Sequence, residues 1–265
     1  MFDRFIVLGD SFSEGLCDEQ YTPDNFRGWA DRVAETLATL NSEFTYVNLA
    51  IRGKLLHQVA LDQLPVALTL IIPGRTLVSF HAGANDLLRP KFDTPIILEK
   101  YRQSVQQLTQ AGATVMLFTV IERAGGKGRT ADRLAARFAQ FNVGVRESAK
   151  HFSALVVDAA EVPLLQDRRF FDADRLHLNP EGHSRVARAI NFRLGLTADE
   201  GWRDPLPAVV PPNRFKSILA DVKWAKKFLL PWLWRRIRGR SSGDGRSPKY
   251  PEPLRWDDGW KVHAP

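Results

Sequence analysis

The chain has 265 residues, 44% hydrophobic and 25% charged, with one cysteine and a formal net charge of +7. That composition excludes a disulfide scaffold and a low-complexity chain, and no apolar run reaches the ~20 residues a spanning helix needs. The charge is local: residues 213–250 hold 11 Lys and Arg against 2 Asp, a net of +9, so the remainder carries −2.

Residues 5–8 form an apolar run ended by Gly9-Asp10-Ser11, the pattern of a short buried strand from which the chain turns out. Trp29, Val33, Leu37 and Leu40 recur at helical spacing, and residues 44–49 read as a second strand leading to Ala50-Ile51-Arg52-Gly53. Residues 54–64 read as helical, and Pro65 is expected to break or restart that helix. Pro73-Gly74 turns the chain into a third strand at 76–82. Thr94-Pro95 opens a helix with Ile97, Tyr101, Val105 and Leu108 on one face, and Gly112 ends it. A fourth strand follows at 113–120, then a glycine-rich basic loop at 123–129. Thr130 opens a helix with Leu134, Phe138, Phe141 and Val145 inward. A fifth strand at 154–158 precedes a helix capped by Asn179-Pro180-Glu181 and carrying Val186 and Ile190. Five strands alternating with helices predict a three-layer α/β/α domain around a parallel sheet, assigned to residues 1–198.

Beyond Leu196 the pattern changes. Prolines 205, 207, 211 and 212 suggest a stiff linker. Phe215, Ile218, Leu219, Val222, Ala225, Leu229 and Leu233 then recur at helical spacing with Lys and Arg between them, and Pro231 is expected to kink or break that helix. The stretch from Arg238 onward is polar and rich in Gly and Pro, so it reads as loose. Residues 199–265 are therefore expected to be a linker and a basic amphipathic extension. Its apolar stripe either meets an anionic membrane surface or packs on the body. Nucleic-acid binding is disfavoured, because no reading motif accompanies the charge. The single Cys17 and an opening, MFDRFIVLGD, without signal-peptide features give a cytoplasmic expectation, with a membrane-peripheral location as its variant.

Parallel strands end on one edge of a sheet, where open α/β folds bind ligands. If the first strand lies between the second and third, Ser11, Gly53 and Gly83-Ala84-Asn85-Asp86 converge there. Asp174 and His177 are three residues apart, a spacing that lets the carboxylate hold the imidazole while the ring faces Ser11. A serine hydroxyl needs such an oriented base to act as nucleophile. The backbone N–H groups of Ser11 and Gly53 and the amide of Asn85 are candidate donors to a developing oxyanion.

Other residues are assigned blander roles. Asp10 and Asp86 read as turn formers, His183 as a packing or surface residue, and Cys17 as a small hydrophobe rather than a nucleophile. His57, His81 and His151 have no matching Asp or Ser motif beside them, and no ligand spacing suggests a metal or other cofactor. Gly125-Gly126-Lys127 is not a phosphate-binding loop, since position 121 is Ile and Gly128 stands where Ser or Thr belongs. It is either part of the substrate mouth or a surface turn. Ser13 excludes the Gly-x-Ser-x-Gly elbow.

Four stretches together, GDSFSEG at 9–15, NLAIRG at 48–53, GAND at 83–86 and DRLHLNPEGH at 174–183, resemble the SGNH, or GDSL-like, esterases and lipases over residues 4–196. The resemblance implies a flavodoxin-like strand order 2-1-3-4-5, Ser11 as nucleophile, Ser11, Gly53 and Asn85 as oxyanion donors, and Asp174 with His177 completing a triad. It implies a metal-free serine hydrolase that cleaves a small ester through an acyl-enzyme. The rival readings are an acyltransferase using the same triad, and a membrane-peripheral or carbohydrate-binding module with a vestigial site. One departure is Arg175, where the family often has glycine.

Overall fold

The computed structural model describes residues 1–90, 92–122, 128–161, 167–209 and 213–256. The Gly125-Gly126-Lys127 loop, Pro211, Pro212 and the chain after 256 lie outside the described residues, as does the side chain of Phe215.

Strand β1 (Arg4–Gly9) is apolar without alternation because both of its faces are covered. Phe5 and Val7 belong to the core on one side of the sheet, Ile6 and Leu8 to the core on the other. A one-turn helix α1 (Ser11–Glu14) follows, and α2 (Gly28–Leu40) leads to β2 (Thr45–Asn48). Then come a segmented helix α3, β3 (Thr76–His81), a one-turn α4 (Ala84–Leu87) and α5 (Thr94–Gln110). Strand β4 (Thr114–Phe118), α6 (Arg129–Phe152), β5 (Leu155–Val157) and α7 (Pro180–Arg193) complete the body. The five strands are parallel in the order β5-β4-β3-β1-β2. Helices α2 and α7 cover one face, and α3, α5 and α6 the other. The three-layer sheet expected from the sequence is thus present, with β1 central, and the carboxyl ends of β1 and β3 lie side by side.

Two prolines lie inside helices rather than ending them, Pro65 in the first turn of a restarted α segment. Helix α3 consists of Leu56–Gln58, a π turn Val59–Gln63 and Leu64–Leu70, and it runs through Pro65 without breaking. In the extension, Arg214–Trp224, a π turn Ala225–Leu229 and Leu230–Ile237, together α8, run through Pro231 in the same way. In both places the π turn ends two residues before the proline. The wider turn moves away the carbonyl that the pyrrolidine ring would strike and removes the need for the missing N–H.

The segment after Ile237 departs from expectation. Residues 250–255, read as part of a loose end, form β6 (Tyr250–Arg255), which pairs antiparallel with β2 at the edge of the sheet. Pro251 and Pro253 are tolerated because an edge strand leaves one side of its backbone unpaired. Tyr250 and Trp256 are buried and stack around Tyr46, with ring centroids 5.6 and 4.9 Å from it. Beside them the Lys249 ammonium meets Asp31 of α2 at 2.8 Å, with side-chain exposures of 7% and 0%. Trp202 also joins the core. Parts of 199–265 are therefore integral to the body rather than a separate appendage.

Candidate active site

Gly9 leaves β1 at φ 148°, and a Cβ there would run into the His81 carbonyl and the Ser13 hydroxyl, so the position has to be glycine. Gln63, buried in the π turn of α3, donates to the Gly9 carbonyl at 2.9 Å and accepts from its N–H at 2.8 Å. The next residue, Asp10, caps α1 by accepting from the Phe12 N–H at 3.2 Å. Ser11 is then the first residue of a short helix at the sheet edge, and its hydroxyl stands 3.0 Å from His177 Nε2.

His177 sits in a loop closed by a bridge between Phe171 and Leu178. Asp174 Oδ2 lies 2.6 Å from His177 Nδ1, while its Oδ1 accepts from the backbone N–H groups of Leu176 and His177 at 2.9 and 3.0 Å. Burial raises the affinity of the Asp174 carboxyl for a proton. The hydrogen bond and charge of His177, with these backbone donors, outweigh burial and hold it below the usual carboxylate range. A carboxylate fixed on Nδ1 leaves Nε2 free to accept from the Ser11 hydroxyl.

Asn85, in α4, donates through Nδ2 to Asp10 Oδ2 at 3.0 Å and to the Lys54 carbonyl at 3.1 Å. Both of its amide hydrogens are engaged within the protein, so a bound oxyanion has to take one of them over. Gly53 has φ 75°, and a Cβ there would strike the Ser241 hydroxyl, so the extension packs directly on this turn. Glu14 holds the turn from the other side, accepting from the Arg52 backbone N–H at 2.6 Å and Arg52 Nε at 2.8 Å. The structure brings Ser11, Asp174 and His177 into one hydrogen-bonded chain and sets Asn85 beside Asp10, with Gly53 one residue from the carbonyl that Asn85 holds.

A cavity of about 420 Å³ opens at Ser11. Asn85, His81 and His177 line it near the serine, and Phe12, Phe118, Val157, Phe171 and Val186 make an apolar wall. The first turns of α6 also line this cavity, through Leu134 and through Phe138, which packs against the core as well. Arg175 also lines it, at φ 63°. Left-handed backbone costs a non-glycine residue about 1 kcal/mol, which accounts for glycine being common here in the family that the sequence resembles. The Arg175 guanidinium is drawn to the extension: it lies 2.7 Å from Asp221 and 4.8 Å over the Trp224 ring. Trp224 in turn donates its indole N–H to the Asp174 carbonyl at 2.8 Å.

Among the residues assigned blander roles, Asp10 and Asp86 act as acceptors for neighbouring groups, Asp86 taking the Leu56 N–H at 2.9 Å. Burial raises the Asp86 pKa. His183 is fully buried, accepts from the Trp29 N–H at 3.2 Å and has Nε2 3.1 Å from the Leu16 carbonyl. Burial lowers its pKa to about 4, so the ring is neutral. Cys17, distant in sequence from Asp174 and His177, has its sulfur within 4.8 Å of their ligand-type atoms, a cluster that spacing did not reveal. Its thiol is pushed up to about 12 by burial and by Asp174 and Asp172. Gln63 and the contacts of Trp224 with Asp174 and of Asp221 with Arg175 were missed in the sequence, whereas His183 packs as one of its two expected roles has it. For Gln63 the available signal was a polar side chain inside an otherwise apolar helical pattern.

Among the described residues no helix is long and apolar enough to cross a membrane. No curated protein matches the sequence. Solved structures match over about three quarters of the chain. The psychrotrophic esterase EstA from Pseudoalteromonas sp. is 18% identical, with a TM-score of 0.55 over 73% of this chain and 97% of its own. TesA is 20% identical, with a TM-score of 0.58 over 73% and 99%. The acetylxylan esterase Axe2 from Geobacillus stearothermophilus is 18% identical, with a TM-score of 0.58 over 73% and 94%. At these identities the likeness shows the fold. The model of the GDSL-like lipase/acylhydrolase family matches residues 7–185, more than half of the chain, and with the sheet order and motifs above it shows that the chain belongs to that family of carboxylic ester hydrolases.

Proposed function

We propose that the protein hydrolyses a small ester with an apolar acyl group through an acyl-enzyme on Ser11. The observation that carries this reading is the chain from the Ser11 hydroxyl through His177 Nε2 and Nδ1 to Asp174 at 3.0 and 2.6 Å. His177 takes the Ser11 proton as Oγ attacks the ester carbonyl, then delivers it to the departing alcohol oxygen. Asp174 stays ionised and stabilises the imidazolium. The oxyanion is held by the N–H groups of Ser11 and Gly53 and by Asn85, which exchanges the Lys54 carbonyl for it; each donor is worth about 3 kcal/mol of barrier. Water, activated by His177, then releases the acid and frees Ser11. The apolar wall receives the acyl chain.

Fluorophosphonate labelling, with turnover of p-nitrophenyl esters of increasing acyl length, tests the reading. Wild type labels and turns over, and Ser11→Ala loses both while its melting curve stays cooperative. Labelling of Ser11→Ala at another residue would overturn the assignment. Ester made from an added alcohol in preference to acid would move the protein to the acyltransferases.

A further inference from the structure

Helix α8 has two apolar sides. One faces the body: Trp224 reaches the catalytic loop, and Ala225, Phe228 and Trp232 are partly covered. The other carries Ile218, Val222, Leu230, Leu233, Trp234 and Ile237 into solvent, Ile218 54%, Trp234 55% and Ile237 78% exposed. A single exposed leucine needs no explanation, but a row of large apolar side chains along one element marks a surface that meets something else. The row falls in two groups, 218–222 and 230–237, on either side of the π turn that carries the exposed Lys226 and Lys227.

Charge identifies the partner. Lys223, Lys226, Lys227, Arg235 and Arg238 are exposed along the same helix, and Arg238 lies 4.3 Å over the Trp234 ring. The acidic residue of this helix, Asp221, is paired with Arg175. A second copy on this stripe would set basic side chains against basic side chains. Exposed aliphatic and tryptophan side chains flanked by Lys and Arg are the makeup of helices that lie in a bilayer interface. We propose that α8 docks the protein on an anionic lipid surface. Arg175 belongs both to the cavity lining and to the α8 contact, so the docked helix adjoins the cavity. The docking is independent of whether Ser11 is the nucleophile.

Sedimentation of the full chain with phosphatidylcholine vesicles, with and without phosphatidylglycerol, tests this. The expected result is binding to the anionic vesicles only, weakening steeply with added salt, and equal for Ser11→Ala. The double change Lys226→Gln/Lys227→Gln is expected to weaken binding roughly 25-fold, at about fivefold for each basic residue near the surface. Ile218→Ser/Leu233→Ser is expected to weaken it while leaving the melting temperature unchanged, because both side chains are already exposed. Equal binding to the two vesicle types, or no binding to either, would overturn the proposal. So would a dimer in analytical ultracentrifugation that Ile218→Ser/Leu233→Ser dissolves, since the stripe would then belong to a second copy.

Discussion

The two halves of the proposed triad are held by different means. Ser11 follows a strand buried on both faces and paired on both edges, and Gln63, Asp10 and the forced glycine at position 9 leave its backbone no freedom. Asp174 and His177 occupy a loop that keeps its shape through a few bonds of its own, such as Asp172 N–H to the His177 carbonyl. It also rests on Trp224 and Asp221 from outside residues 7–185. The sheet thus delivers the proposed nucleophile as a by-product of folding the core, whereas the proposed base depends on separate bracing. Such a loop can be altered without dismantling the fold, and for this reason the predicted effects on the two sides differ in kind.

The largest expected effect concerns the anchor of the bracing segment. Removing one partner of a buried ion pair typically costs about 3–5 kcal/mol. Lys249→Met, which strands Asp31, should therefore lower the melting temperature by about 10 °C. Burial already pushes the Asp31 carboxyl up, Lys249 and Tyr46 bring it part of the way back, and its pKa stands at about 7. The double change Asp31→Asn/Lys249→Met should recover much of the loss. No recovery would mean that the pair is incidental to how the extension is held.

His183 links the sides directly, joining α7, which follows the base loop, to Leu16, which follows the nucleophile. Its folded pKa of about 4 lies below the ordinary 6.5, so the unfolded chain takes up the proton first. Stability is then full above pH 6.5 and declines as the pH falls toward 4, by up to about 3 kcal/mol in this buried group. Thermal melts over that range should show a shallower slope for His183→Gln than for wild type.

Asn85→Ala probes the sheet side. It should lower kcat about a hundredfold with little change in KM, the signature of an interaction made in the transition state. An unchanged kcat would remove Asn85 from the oxyanion site. The smallest effect is expected on the base side from Trp224→Phe. The ring stays over Arg175 and only the N–H to the Asp174 carbonyl is lost, about 1 kcal/mol, so kcat should fall severalfold at constant KM. Trp224→Ala should fall further. If Trp224→Phe equals wild type, the loop stands without its brace and the contrast between the two halves disappears.

The body of the fold was legible because its signals are local. Apolar runs such as 5–8 mark strands buried on both faces, and Trp29, Val33 and Leu37 mark one helix face. The site was legible because glycine and asparagine stand directly after those strands and Asp174 and His177 keep a three-residue spacing just before α7. What escaped depends on distant partners. Lys249 and Asp31 are an unremarkable pair of charges until α2 and the segment before β6 meet. Tyr250-Pro251-Glu252-Pro253 reads as a loop because two prolines outweigh everything else in the window, and only a vacant sheet edge makes it a strand. At Pro65 and Pro231 the choice between a break, a restart and a kink stays open in the sequence, because a single-residue rule takes no account of a π turn upstream.

The pairing of β2 with β6 has a consequence for how the molecule is made. The two strands are separated by about 200 residues, so β2 leaves the ribosome long before its antiparallel neighbour exists. During that interval its outer row of N–H and C=O groups is open to any strand that approaches, including β2 of another nascent chain. Closing the sheet is a contact of high sequence separation, the type that forms slowly. Yield at high expression temperature should accordingly be set by the time this edge waits, and a chain cut before residue 249 should aggregate even with every residue of the proposed triad present.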